Sequence, residues 1–106
     1  MTDKIVVFTT CESEDEASRL ARHLVDQKLA ACVNILPQMR SIYRWEEKIE
    51  DAPEFLMLIK SRRDLFDSLK AEIAKIHSYE IPEVIAIPIV DGSPGYLSWL
   101  DRELLS

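Results

Sequence analysis

Ile5-Val6-Val7-Phe8 is an unbroken apolar run with β-branched residues, as suits a strand covered on both faces, and it is placed centrally in a sheet. The period then changes. Ala17, Leu20, Ala21, Leu24 and Val25 recur at helical spacing behind Ser13, which forms a capping-box pair with Glu16, while Glu14 and Asp15 favour the positive helix end. This pattern predicts a helix from Ser13 to Lys28. Ala30 to Leu36 predicts a strand that Pro37 bends or bulges, and extended structure resumes from Ser41 to Glu50 with Tyr43 and Trp45 on one face. Asp51-Ala52-Pro53 reads as a turn before the apolar strand Phe55-Leu56-Met57-Leu58-Ile59, so these segments form a long hairpin. Ser61 with Asp64 opens a second helix, whose apolar face is Leu65, Leu69, Ile73 and Ile76. Val84 to Ile87 is the last main strand, and Pro88, lacking a ladder donor, marks an edge or a bulge. Asp91-Gly92-Ser93-Pro94 supplies a cap and a first-turn proline for a short terminal helix carrying Tyr96, Leu97, Leu100 and Leu104.

Strand, helix, strand, strand, helix, strand is the order of the split βαβ arrangement. The expected fold is therefore α+β and ferredoxin-like, βαββαβ plus a short C-terminal helix, in a single domain over residues 1–106. Both main helices then lie on one face of the sheet. Strands this apolar need cover on the other face too, from the terminal helix or from a second subunit.

Charge narrows the partners. The chain has 13 Lys and Arg against 19 Asp and Glu, a net charge of −6, and its field repels nucleic-acid phosphate and anionic lipid. No aromatic RNA-binding signature accompanies the fold, so no nucleic-acid partner is expected. No stretch has the length of a membrane span or a signal-peptide core, and a soluble cytoplasmic protein is expected. Cys11 and Cys32 are read as free thiols of a reducing compartment. With two glycines and no glycine-rich anion loop, an acylphosphatase-like hydrolase ranks last and a non-enzymatic role is expected, without an organic cofactor.

The densest chemistry is His77-Ser78-Tyr79-Glu80-Ile81-Pro82-Glu83, which crowds an imidazole, a phenol and two further carboxylates between a helix and a strand. This block, with Lys28 to Pro37, Ser41 to Ile49 and Tyr96 to Leu100, resembles the divalent-cation tolerance (CutA) family in order and spacing over nearly the whole chain. The resemblance implies a homotrimer similar in architecture to the PII signalling proteins, with long hairpins pairing between neighbours. It also implies a cytoplasmic role in tolerance of copper and other divalent metals. Two positions depart from the family pattern: Glu47 stands where members usually have Gly, and Ser78 where they usually have Pro. A positive φ at Glu47 would carry strain.

Copper-binding members carry a cysteine at the place of Cys11, so Cys11 and His77, completed by Glu54 or Glu83, are the candidate metal ligands. A thiolate with an imidazole suits Cu(I) or another soft ion; hard Mg²⁺ or Ca²⁺ prefers an all-oxygen site. The structural alternative stays open, with Cys11 packed as a small apolar residue and His77 capping its helix. Cys32 is expected to be a buried structural thiol. Tyr43, Trp45, Tyr79, Glu83 and Trp99 are candidates for the trimer interface or for a ligand cleft. Arg40, Arg44, Lys48 and Lys60 serve intersubunit ion pairs or a small anion. Two functions result: a copper- or divalent-metal-binding homotrimer, and alternatively a PII-like small-ligand sensor or signalling adaptor.

Overall fold

A computed structural model describes residues 2–106. β1 (Lys4–Cys11) leads into α1 (Glu14–Asp26), then β2 (Cys32–Trp45) and β3 (Lys48–Arg62) form the hairpin. After a 3-10 turn at Arg63–Leu65 come α2 (Phe66–Ile76), β4 (Ile85–Pro88) and α3 (Pro94–Arg102). The four strands are antiparallel neighbours in the order β2-β3-β1-β4. The expected α+β, ferredoxin-like topology is what the chain adopts, with β1 internal and the proline-ended β4 at the edge.

Alternation along the strands sorts the side chains. Ile5 and Val7 of β1 lie beside Ser61 and Ile59 of β3, and this face is buried under Ala17, Leu20 and Leu24 of α1 and Leu69 and Ile73 of α2. α1 starts where the sequence indicates: the Ser13 hydroxyl accepts the Glu16 N–H at 3.1 Å. Replacing Ser13 by Ala removes this bond, and a loss of about 1 kcal/mol in denaturant-monitored stability is expected.

The second helix starts later than predicted. Ser61 belongs to β3, and its hydroxyl donates to the Leu29 carbonyl at 2.6 Å, so a buried tertiary bond has claimed the side chain expected to cap a helix. The turn signal at Asp51-Ala52-Pro53 also fails, because Pro53 is paired with Arg40 within the ladder. The hairpin reverses instead at Glu46 and Glu47, both with positive φ, 49° and 66°. Such a two-residue turn favours glycine or asparagine, so Glu47 bears the strain that its departure from the family pattern implies.

Pro37 does bulge its strand. Leu36 pairs with Leu56 but Met39 pairs with Glu54, so β2 carries one extra residue there, and Gln38 takes φ 62°. One inserted residue reverses which side chains face which way. Beyond the bulge, Ser41, Tyr43 and Trp45 therefore share the face of Glu54, opposite the main helices.

That second face is apolar and only partly covered. Phe8, Leu56 and Leu58 lie on it, with Leu36, Ile85 and Ile87 exposed to 42%, 55% and 49%. α3 shields one end: Asp101 pairs with Lys4 and Arg62, each at 3.2 Å, and Leu100 and Leu104 are buried. The terminal helix thus supplies part of the expected cover and leaves the remaining apolar surface open.

Candidate functional site

The end of β1 and the end of α2 meet. His77 is the residue that closes α2, its N–H still bonded to the Ile73 carbonyl at 2.9 Å, and the ring turns inward to lie buried. Its Nδ1 accepts the Tyr79 N–H at 3.0 Å, which assigns the ring proton to Nε2 and makes Nε2 the donor to the Thr10 carbonyl at 2.6 Å. Cys11 Sγ lies 3.9 Å from the same Nε2 and 3.6 Å from the thioether of Met57.

Glu16 completes the group. One carboxylate oxygen accepts the Ser78 N–H at 2.8 Å; the other is buried with no hydrogen-bond partner. A proline at position 78 would have no N–H to give, so the departure from the family pattern supplies the contact that holds this carboxylate. The ligand atoms of Cys11, Glu16 and His77 lie within 4.8 Å of one another, and all three residues are buried. Burial first, and the neighbouring Glu16 charge second, push the Cys11 thiol up to about 12. The group is thus a protonated thiol beside an unsatisfied carboxylate oxygen, an arrangement that a cation would relieve.

A cavity of about 650 Å³ opens beside it, lined by Thr10 and Ser78 at the junction with the thiol group. Its other walls include the aromatic Tyr43, Trp45 and Tyr79 and the carboxylates of Glu54, Glu80 and Glu83. Glu54 is buried and accepts the Tyr79 hydroxyl at 2.5 Å; burial and this bond raise the phenol's pKa above its usual range. None of the lining residues is lysine or arginine.

The structure therefore divides the sequence-derived candidates. Cys11 and His77 come together, but the third donor beside them is Glu16, which the sequence marks as a capping residue and as one of four acidic residues following Cys11 whose charge attracts a cation, and not as a ligand. Glu54 and Glu83 line the cavity with Tyr43, Trp45 and Tyr79. Trp99 lies elsewhere, against Tyr96 on α3 with ring centroids 5.7 Å apart. Cys32 is half-buried rather than buried, because its position opposite Lys60 places it on the incompletely covered sheet face. Arg40 forms a two-pronged bond to Asp51 of its own hairpin, at 2.8 and 2.6 Å. No charge on the cavity wall suits the small anion considered from sequence.

Residues 5–103 match the family model described as CutA1 divalent ion tolerance protein. The mouse Protein CutA is 46% identical over 95 residues, which are 90% of this chain and 54% of that protein. The divalent-cation tolerance protein CutA of Thermus thermophilus is 43% identical over 95 residues, 90% of this chain and 92% of that protein. The chain spans about half the length of the mouse relative and nearly all of the bacterial one. A solved structure titled periplasmic divalent cation tolerance protein CutA from Archaeoglobus fulgidus superposes with a TM-score of 0.92 at 42% identity, covering 94% of this chain and 97% of that one.

Proposed function

Because the chain belongs to the CutA1 divalent ion tolerance family, we propose that it serves metal tolerance by binding a soft metal ion, copper foremost, at Cys11, Glu16 and His77. The observation that carries this is the buried Glu16 oxygen with no partner, held beside a thiol and an imidazole. The residues fit a metal in kind: one sulfur, one oxygen and one nitrogen donor, with the Met57 thioether adjacent to the thiol. Sulfur favours Cu(I) over Mg²⁺ or Ca²⁺. His77 would engage by moving its proton from Nε2 to Nδ1, giving up its bonds to Thr10 and to the Tyr79 N–H.

The role is one of binding rather than catalysis, by a homotrimer whose subunits cover one another's apolar sheet faces. A cytoplasmic location is proposed with it, since Cys11 and Cys32 are both free thiols, which a reducing compartment preserves. Among the described residues no helix is long and apolar enough to cross a membrane.

The test is a Cu(I) competition titration of the reduced protein across a pH series. A metal must displace the Cys11 proton, and that thiol stays protonated up to about 12. Apparent affinity is therefore expected to rise about tenfold per pH unit between roughly pH 6 and 9, one proton being released per ion. A flat profile would exclude Cys11 as a ligand.

A further inference from the structure

Resting on the metal-binding reading above, we propose that Met57 is a fourth ligand of that site and that its thioether sets a preference for Cu(I) over Zn²⁺. β3 places it there. Met57 pairs with Thr9 and Phe55 with Cys11, so Met57 is the diagonal neighbour of Cys11 on the side of the sheet that α1 and α2 cover. Both residues are fully buried within the single subunit, so a neighbour docked on the opposite sheet face neither covers nor uncovers them.

The two sulfurs already face each other. The Cys11 thiol donates to the Met57 thioether at 3.6 Å, and among the described residues that thioether has no other hydrogen bond. A metal that takes the place of the thiol proton therefore enters between the sulfurs. With metal–sulfur bonds of zinc-site length, about 2.3 Å, the 3.6 Å separation subtends about 100° at a shared ion. Nε2 of His77, 3.9 Å from the same Sγ, subtends about 130° for a metal–nitrogen bond of about 2.0 Å. One ion can thus touch both sulfurs and the imidazole without a shift of either strand.

The selectivity follows from the chemistry of the thioether, a soft donor without charge. Cu(I) accepts such a donor, whereas zinc sites draw on thiolate, imidazole and carboxylate, which Cys11, His77 and Glu16 supply without Met57. Packing alone does not call for sulfur here. Ile59, two residues on, fills the same side of β3 with hydrocarbon and is equally buried.

The test compares Cu(I) competition and Zn²⁺ titrations of the reduced parent, Met57→Leu and Cys11→Ala, with X-ray absorption at the copper edge. Leucine keeps nearly the volume of methionine, so the core stays packed. Met57→Leu should lower Cu(I) affinity at least about tenfold, the smallest loss seen for an outer-shell partner, and leave Zn²⁺ affinity unchanged. The copper spectrum should show two sulfur neighbours in the parent and one in Met57→Leu. The parent spectrum needs no substitution, so it decides the matter even if the variant folds poorly. A single sulfur neighbour in the parent, or an equal loss for both metals in Met57→Leu, would overturn the proposal. If Cys11→Ala loses Cu(I) while Met57→Leu keeps it, only the role of Met57 fails; a parent that binds no Cu(I) sinks the metal-binding reading as well.

Discussion

Leu58→Glu is expected to give separated, folded subunits in sedimentation velocity at micromolar concentration, where the unmodified protein sediments as the proposed trimer. Leu58 sits in the middle of the sheet face that the main helices do not cover, beside Phe8 of β1 and Asn34 of β2. It is partly exposed in the single chain, so a glutamate there can reach water while the subunit stays alone. Assembly would take the carboxylate out of water, a cost of several kcal/mol for an unpaired charge, and would remove the contribution of about 2 kcal/mol expected from burying leucine. Threefold symmetry repeats both effects in every subunit. A variant that still sediments as the parent does would show that this face is not the interface. A parent that sediments as a folded single subunit would end the trimer proposal itself.

The same face shows what the sequence could convey. An apolar run at residues 5–8 is enough to place β1 inside the sheet, because a central strand has no polar side to present. Ser13 marks the start of α1 because its bond to Glu16 spans three residues and needs nothing from the rest of the chain. Pro37 likewise acts locally, and the bulge follows. The residue types at Glu46 and Glu47 conceal the reversal, because neither is typical of a positive-φ turn and only the family resemblance points to Glu47, whereas Asp51 and Pro53 look like turn residues and are held in a ladder by Arg40 and its neighbours.

Glu16 shows the limit most plainly. Its spacing from Ser13 is that of a capping box, in which its side chain would bond back to the Ser13 N–H. The carboxylate turns instead to the N–H of Ser78, 62 positions away in sequence, and so joins Cys11 and His77. Only the packing of α1 against the end of α2 reveals that choice. Glu54 is the mirror case. The sequence offers it as a metal ligand to complete Cys11 and His77, yet its carboxylate accepts the phenol of Tyr79.

Cys11→Ala is expected to lower Cu(I) affinity by at least about a hundredfold, since even the loss of an outer-shell partner costs up to that much and here a sulfur donor disappears. It should also flatten the pH dependence, because the thiol proton is the one the metal displaces. The substitution leaves a small cavity under β1, so thermal unfolding of the metal-free protein must accompany the titration; a modest stability loss with the affinity loss intact separates binding from folding. Glu16→Gln divides the contributions further. Its amide oxygen can still accept the Ser78 N–H, but its charge is gone, and the Glu16 charge is one cause of the raised Cys11 thiol. The thiol should then lose its proton at lower pH, so that copper affinity levels off sooner as pH rises, while its ceiling drops because the carboxylate no longer contributes. If Glu16 were only a structural brace, glutamine would still shift the pH at which affinity levels off, through the lost charge beside Cys11, but would preserve the ceiling.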